Sequence, residues 1–228
     1  WHTSATERLR ELLAQHRLKP MSVSAVEGFN FQGENFDLVR RRCRMLAEQI
    51  KSLSCPYLVV IPGFAPKGAK PEEVRRETVR ALRTLADEVA PYGVSLAFKP
   101  LGYHWCSVRT LPDAWAIVQE INRPEVGLAL DMVQLYVAET KPDDLDRLDA
   151  AKVFLIYLND AQSVDRQLAG DTHHIMPGDG VVPLADYLRR VKDLKFDGPC
   201  VLELSHPTLW EKEPKEVAQQ GRAAMQRM

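Results

Sequence analysis

The amino-acid sequence predicts an α/β fold with a parallel sheet. Helical and strand-like patterns alternate along the chain, as expected when each strand is followed by a crossover helix. Several strand-like runs are continuously apolar, as in YLVVI at Tyr57–Ile61, which is typical of parallel strands covered on both faces. Polar or turn-forming residues follow each run, so loops suited to binding and chemistry are expected at one edge of the sheet.

Six runs have the composition and length of strands. They are Met21–Val26, Tyr57–Ile61, Val94–Phe98, Val126–Leu130, Val153–Leu158 and Cys200–Leu204. In a (β/α) barrel the functional residues lie at the carboxyl ends of such strands. We therefore expect the functional side chains in the loops that follow these runs.

The segments between the strands have the periodicity of amphipathic helices. They are Thr6–His16, Phe36–Ser54, Pro71–Ala90, Leu111–Ile121, Pro142–Leu148 and Pro183–Leu194. In the second of them the apolar stripe is predicted to contain Leu38, Met45, Leu46 and Ile50. The basic run Arg40–Arg44 on the same helix is interpreted as a solvated face rather than a phosphate-binding patch.

The length and the alternation favour one (β/α)8 TIM-type barrel domain over residues 1–228. A closed barrel of this type has eight strands, two more than the sequence contains. Because the chain begins with a helical pattern, its first two βα units are expected to be absent here. A doubly wound open sheet is the alternative, but no GxGxxG follows a strand, which disfavours a dinucleotide-binding fold.

Composition narrows the classes of partner. The formal net charge is −1 with 27% charged residues, so neither nucleic acid nor an anionic membrane is expected as the main partner. The four cysteines are scattered without CxxC spacing, which predicts neither a zinc site nor a disulfide framework. Reduced thiols in a cytoplasmic protein follow as the expectation.

Three charged residues stand at the ends of apolar runs. Lys99 follows VSLAF, Asp131 ends VGLALD, and Glu203 interrupts CVLEL. Each has an ordinary interpretation: a snorkelling lysine, a helix cap, and a glutamate on the solvent side of an edge strand. If the strands are parallel neighbours, however, the three charges converge on one pocket, where the lysine offsets the desolvation of both carboxylates.

Histidines and aromatic residues fall in the same loops. His104 and Trp105 follow Lys99, while His206 follows Glu203 by three residues. His174 lies in DTHHIMPGDG, where the Pro-Gly turn is suited to a loop that folds over a pocket. Tandem histidines are common in surface loops, so these residues are candidate substrate contacts rather than an assigned site.

The order and spacing of several segments closely resemble xylose isomerase-like TIM barrels. The resemblance, which runs over essentially the whole chain, is to the inosose isomerase-like members of the sugar phosphate isomerase/epimerase group. Its segments are KPMSVSAVEGFNF, YLVVIPG, APYGVSLAFKPLG, VGLALDMVQLY, KVFLIYLNDA, MPGDGVVPL and GPCVLELSHPTLW. The resemblance implies a barrel, two further βα units before Thr6, and a reaction on a sugar or cyclitol.

The resemblance also implies a divalent metal, and here the sequence departs from the family pattern. Of four expected ligands, Asp131 and Glu203 are present, but Lys99 replaces a Glu and Tyr157 replaces a His. Three other family positions are also identifiable. They carry Gln134 in place of a His, a retained Asp160, and His174 in place of an Arg.

A charged lysine has donors and no acceptor, so it cannot bind a cation and repels one. We therefore expect no metal cofactor, with a divalent Mn, Mg or Zn ion at Asp131 and Glu203 as the alternative. The expected activity is isomerisation or epimerisation of a sugar, cyclitol or related polyhydroxy ketone by proton transfer next to a carbonyl. Lys99, Asp131, Tyr157 and Glu203 are the candidate catalytic residues, and Gln134 and Asp160 join the histidines and Trp105 as candidate substrate contacts.

Lys99 is expected to stabilise an enediolate oxyanion, with Glu203 as base and Tyr157 as acid. A Schiff base on a neutral Lys99 is less favoured, because two nearby carboxylates raise the pKa of a lysine. The rival hypothesis is a non-catalytic sugar-binding barrel whose pocket is locked by the ion cluster. A homodimer is compatible with either interpretation.

Overall fold

A computed structural model describes residues 3–228, with side chains from residue 5 onward. Its strands are β1 Ser22–Glu27, β2 Tyr57–Ile61, β3 Ser95–Phe98, β4 Val126–Asp131, β5 Val153–Tyr157, β6 Asp160–Ala161, β7 His174–Ile175 and β8 Cys200–Val201. All six predicted strand runs are strands. The two-residue strands β6 and β7, which the sequence did not indicate, pair with each other antiparallel.

The α-helices in the described residues are α1 Thr3–Gln15, α2 Phe36–Ser52, α3 Pro71–Val89, α4 Leu111–Ile121, α5 Met132–Val137, α6 Leu184–Asp193, α7 Pro207–Trp210 and α8 Pro214–Arg227. Five of them lie close to predicted segments, whereas α5, α7 and α8 were not predicted. The segment Pro142–Arg147 is a 3-10 helix rather than the predicted α-helix, and it is closed by a bond from Leu148 N–H to the Leu145 carbonyl. Within residues 3–228 we find no helix of the length and apolarity that a membrane crossing requires.

The chain divides into two compact units. The first contains the residues up to Phe98 together with 117–127. Its strands β1, β2 and β3 pair in parallel, with Ser22 opposite Tyr57 and Tyr57 opposite Ser95. The central strand β2 is buried through Leu58, Val59 and Val60, in agreement with its continuous apolar sequence.

The predicted apolar stripe of α2 is wrong at two positions. Leu38 and Met45 are 57% and 51% exposed, whereas the helix buries Phe36, Cys43, Ala47 and Ile50. Leu38 and Met45 each follow a buried residue by two positions. Two positions correspond to about 200° around a helix, so their side chains lie on its outer side. The small side chains of Cys43 and Ala47, rather than the larger leucine and methionine, form the buried face.

The basic run of α2 is more than a solvated face. Arg40 and Arg44 each contact the carboxylate of Glu88 on α3 at 2.6 Å. Burial of Glu88 opposes its ionisation, but hydrogen bonds from the two guanidinium groups lower its pKa overall. The two arginines therefore tie α2 to α3 within the first unit.

The second unit contains residues 99–116 and 128–228. Here β4 pairs with β5 and β5 pairs with β8, all in parallel. The register places Asp131 opposite Tyr157 and Tyr157 opposite Val201, so the carboxyl ends of three strands lie side by side. Side chains at and just beyond these ends are therefore held at one edge of the second unit.

Strand β8 is shorter than predicted. Regular pairing ends at Val201, whose carbonyl accepts from the Leu158 N–H at 2.8 Å. Two residues further on, the carbonyl of Glu203 is met by the side-chain amide of Asn159 at 3.4 Å rather than by a backbone donor. A side chain thus replaces the next bond of the ladder, and Glu203 lies in an irregular segment beyond the strand.

Candidate functional site

Lys99 is placed by the end of strand β3. It follows Phe98 directly and precedes Pro100, so the backbone leaves the sheet at this residue. Its side chain is only 6% exposed. A buried ammonium needs compensating negative charge, and the neighbouring strands of its own unit supply it.

The ammonium of Lys99 has a partner in each of three directions. Nζ lies 2.9 Å from Oδ2 of Asp131 and 2.7 Å from Oε2 of Glu203. It also lies 3.7 Å from the centroid of the Tyr157 ring, which is within the range of a cation–π contact. The contact with Glu203 is a hydrogen bond, and the ion pair with Asp131 and the ring of Tyr157 further offset the charge of the ammonium.

Electrostatics keep this lysine charged. Burial alone would lower the pKa of Lys99, but attraction to Asp131 and Glu203 raises it above the ordinary value. The amine is therefore protonated at neutral pH. A protonated amine is no nucleophile, so the geometry disfavours a Schiff base at Lys99.

Asp131 is held on both of its oxygens. It is the last residue of β4 and caps α5, where Oδ1 accepts from the backbone N–H groups of Val133 at 3.0 Å and Gln134 at 3.2 Å. Its Oδ2 contacts Lys99 as an ion pair that lacks the alignment of a hydrogen bond. Burial opposes ionisation, but the charge of Lys99 lowers the pKa of Asp131 overall. The helix-cap interpretation and the ion-pair interpretation therefore both describe this residue.

Glu203 differs from Asp131 in its exposure. Its side chain is 40% exposed, whereas that of Asp131 is fully buried. Only its Oε2 is engaged by Lys99. Glu203 is thus the member of the cluster that reaches solvent and has room to change partners.

Gln134 supports the loop after Lys99. Its Oε1 accepts from the backbone N–H of Gly102 at 2.9 Å, and Arg109 donates twice to the Gly102 carbonyl. A Cβ at position 102 would collide with the backbone of Gln134 and Ala138, so glycine is required for this close approach. The buried amide of Gln134 is therefore committed to the protein backbone through its oxygen.

Asp160 holds the loop between β7 and α6. Its Oδ1 accepts from the N–H groups of Ala161 and Val182, and its Oδ2 accepts from those of Gly178 and Gly180. These four distances lie between 2.8 and 3.0 Å. The Asp160 carboxylate therefore fixes the Pro-Gly loop through four backbone hydrogen bonds, and these bonds occupy both of its oxygens.

The other predicted contacts are spread more widely. His104 is exposed, and Trp105 is partly exposed with its ring 5.7 Å from that of Tyr103. His206 caps α7 through Nδ1, which lies 2.8 Å from Thr208 Oγ1. His174, in contrast, is only 2% exposed.

One buried residue of the site was missed in the sequence. Asn159 is fully buried, and its Nδ2 lies 3.2 Å from Nδ1 of His174 and 3.4 Å from the carbonyl of Glu203. It therefore links two residues that come from different loops. The signal was present in LND, two residues after Tyr157, but an asparagine after a strand is so common in turns that it attracts no attention.

The residues of this cluster do not fit a divalent metal. An ammonium stands between the two carboxylates at contact distance, where a cation would have to bind. In residues 3–228, no group of three or more His, Cys, Asp and Glu side chains is arranged to hold a metal ion. Two carboxylates beside a fixed positive charge make a poor cation site, because the charge repels the ion.

Several known proteins are similar to this chain over most of its length. The inosose isomerase of Halalkalibacterium halodurans is 26% identical over 211 residues, which cover 92% of this chain and 75% of that protein. The inosose isomerase of Bacillus subtilis is 27% identical over 203 residues, which cover 89% of this chain and 73% of that protein. A crystal structure of the IolI protein with a bound zinc atom aligns with a TM-score of 0.93 and 26% identity. That alignment covers 98% of this chain and 80% of IolI.

The family model described as xylose isomerase-like TIM barrel matches residues 1–228, the full length of the sequence. This match agrees with the alternation of strands and helices and with the charged residues at the carboxyl ends of the strands. The chain belongs to the xylose isomerase-like TIM barrel family.

Proposed function

We propose that this protein is an isomerase or epimerase of the sugar and cyclitol class that moves a proton next to a carbonyl. In this proposal the ammonium of Lys99 supplies the positive charge that stabilises the reacting oxygen, whereas the similar IolI protein has been crystallised with a zinc atom. Relatives named inosose isomerase support the substrate class, because an inosose is a cyclitol ketone.

The observation that carries the proposal is the Lys99 cluster itself. A buried, permanently charged ammonium lies between a fixed carboxylate, Asp131, and a partly exposed one, Glu203. Such a cluster costs desolvation free energy and is weak evidence for stability, so a functional role is the better account of it. A preorganised cation in a dry site is suited to an oxyanion that forms during reaction.

Each residue then has a separate role. Glu203 takes the proton from the carbon next to the carbonyl, and the electron pair moves to the carbonyl oxygen to form an enediolate. Lys99 stabilises that oxygen, and Asp131 keeps Lys99 charged. For isomerisation, the hydroxyl proton moves from one enediolate oxygen to the other, and Glu203 returns its proton to the former carbonyl carbon. For epimerisation, Tyr157 delivers a proton to the opposite face of the first carbon, and Tyr157 and Glu203 then recover their original protonation by exchange with solvent.

The proposal requires one rearrangement. The ammonium of Lys99 is enclosed by Asp131, Glu203 and the Tyr157 ring, so a substrate oxygen reaches it only by replacing one of these partners. Glu203 is the partner with solvent access, and its release from Lys99 would also free it to act as a base. The same motion therefore prepares both the cation and the base.

Because protein groups enclose the ammonium of Lys99, a second candidate is a sugar-binding barrel without catalytic activity. In that account the ion cluster is a structural plug, and Lys99, at 6% exposure, never meets a ligand. Substrate binding would then occur without any exchange of carbon-bound protons.

Proton exchange separates the two candidates. The protein, treated with a chelator, is incubated in D2O with a panel of inososes and ketoses, and the C–H signals next to the carbonyl are followed by NMR. We expect enzyme-dependent loss of one such signal, abolished in Lys99→Met and retained in Lys215→Met, which removes an exposed lysine. Absence of exchange with every substrate, or exchange that persists in Lys99→Met, would overturn the proposal.

A further inference from the structure

We infer that Asn159 holds His174 as the neutral imidazole with its proton on Nε2, and that this N–H binds a hydroxyl oxygen of the substrate. The first half stands on geometry alone. The second half rests on the function proposed above, because it assigns a specificity-determining contact to the same site.

The orientation of the Asn159 amide is set by the backbone. The carbonyl oxygen of Glu203 lies 3.4 Å from Nδ2 of Asn159, and a carbonyl only accepts hydrogen bonds. If the amide were rotated by half a turn, its oxygen would face that carbonyl and the two acceptors would repel each other. The NH2 group therefore points toward Glu203, and the same NH2 group lies 3.2 Å from Nδ1 of His174.

This orientation determines the state of the imidazole. Because the Asn159 NH2 group only donates, Nδ1 of His174 must accept, and it therefore carries no proton. The ring proton is left on Nε2. A neutral histidine has one donor and one acceptor, and here the acceptor is used by the protein while the donor points elsewhere.

The remaining donor and acceptor are both buried and unpaired. Nε2 of His174 and Oδ1 of Asn159 have no hydrogen-bond partner among the described residues, and their side chains are 2% and 0% exposed. Native structures rarely leave buried polar atoms unsatisfied, and each such atom calls for an explanation. The Nε2–H of His174 points away from Asn159 and is a free donor, which matches the oxygen of a hydroxyl.

The pair also lies beside the proposed reaction centre. Asn159 donates a hydrogen bond to the backbone carbonyl of Glu203 and follows Tyr157 by two residues, and His174 lies 3.2 Å from its amide. A polyhydroxylated ring that presents its carbonyl to Lys99 carries hydroxyls on adjacent carbons. We therefore assign His174 and Asn159 to the recognition of a ring hydroxyl rather than of the reacting carbonyl.

The first experiment reads the tautomer directly. Protein with 15N-labelled histidine is examined by long-range 1H–15N correlation at neutral pH, with His174 assigned by its loss in His174→Gln. We expect a protonated Nε2 and an unprotonated Nδ1. His173 provides an internal reference, because its Nδ1 accepts from the Gly170 N–H at 3.1 Å and so requires the same tautomer. An Nδ1–H tautomer or a doubly protonated ring at His174 would overturn the first half.

Substitution of Asn159 should change the tautomer of His174 in a way that depends on the new residue. In Asn159→Asp the new carboxylate only accepts, so the proton of His174 should move to Nδ1 or both nitrogens should become protonated. In Asn159→Leu the constraint is removed and a mixture of tautomers is expected. The His173 signals should not change in either variant. An unchanged Nε2–H pattern for His174 in both variants would show that Asn159 does not control the tautomer.

The second experiment tests the ligand, with an inosose and its monodeoxy analogues as substrates and myo-inositol as a non-reacting probe. We expect myo-inositol to shift the His174 Nε2 resonance and leave that of His173 in place. His174→Leu should reduce kcat/KM at least tenfold for the full polyol but not for the analogue that lacks the recognised hydroxyl, with partial rescue in His174→Gln. No shift with myo-inositol, or equal losses for all analogues, would show that the pair holds internal water or has no ligand.

The outcomes distinguish the two levels of the account. If no substrate exchanges protons but myo-inositol still shifts His174, the proposed reaction fails and the hydroxyl site stands. If exchange occurs and His174→Leu leaves kcat/KM unchanged, the reaction stands and the hydroxyl site fails.

Discussion

Nζ of Lys99 lies 2.7 Å from Oε2 of Glu203, a contact between two residues of the second unit. The two residues are 104 positions apart in the chain. The contact is asymmetric, because the lysine is buried and the glutamate side chain is 40% exposed. Lys99 is therefore the buried charge of the pair and Glu203 is the partner that solvent reaches.

Removal of the lysine charge should be strongly destabilising. In Lys99→Met the fully buried Asp131 keeps its charge without a partner, which typically costs about 3–5 kcal/mol. Urea unfolding at neutral pH, with Lys215→Met as the exposed control, measures the loss. A change no larger than that of the control would mean that the ion pair contributes nothing to the fold.

The same pair predicts how stability depends on pH. Folding lowers the pKa of Asp131 below its unfolded value of about 4. The ionised carboxylate therefore contributes fully to the free energy of unfolding above that value, and the contribution is lost as the pH falls through the pKa of the folded state. Folding raises the pKa of Lys99 above its unfolded value of about 10. The protonated amine therefore contributes fully to the free energy of unfolding below that value, and the contribution is lost as the pH rises through the pKa of the folded state. The difference in free energy of unfolding between the wild type and Lys99→Met should therefore be largest between about pH 4 and pH 10, and it should become smaller in acid. A difference that stays constant down to pH 3 would contradict the assignment.

Replacement of the partly exposed carboxylate should affect chemistry more than stability. Glu203→Gln keeps an oxygen for Lys99 but removes the base, so proton exchange should fall by about 10²–10⁴-fold. The free energy of unfolding should change by less than about 1 kcal/mol, because the side chain is partly exposed. NMR exchange rates and urea unfolding test the two parts separately. Exchange at the wild-type rate would remove Glu203 from the mechanism.

Asp160 should prove structural. Its carboxylate holds four backbone N–H groups between Ala161 and Val182, and in Asp160→Ala these donors lose their partner. A loss of about 3 kcal/mol is expected, together with faster amide hydrogen exchange at residues 178–182. Asp193→Ala, an exposed aspartate on α6, is the control. Unchanged protection of these amides would show that the loop is held by other contacts.

Much of the fold could be predicted because its strands are short, apolar and separated by periodic helices. The limits appear where side chains replace backbone order. Strand β8 was predicted to include Glu203, but it ends at Val201, where the Asn159 amide takes over the ladder. The buried face of α2 was misassigned because Cys43 and Ala47 carry it instead of Leu38 and Met45.

The candidate site shows a similar division. Residues at the ends of strands, such as Asp131 and Tyr157, are placed by the regular register of the sheet, so their proximity follows from the topology. Asn159 and His174 meet through irregular loops whose course depends on long-range contacts. Local sequence patterns do not predict long-range contacts between loops, so this pair could be identified only in the structure.

The central claim is that an ammonium occupies the position of a metal ion, and zinc binding tests it most directly. Wild-type protein and Lys99→Glu combined with Tyr157→His are dialysed against zinc, washed, and analysed for metal content, with Asp131→Asn added to each as a control. We expect no retained zinc in the wild type and about one ion per chain in the double variant, lost again with Asp131→Asn. One tightly held zinc in the wild type that disappears with Asp131→Asn would contradict the account.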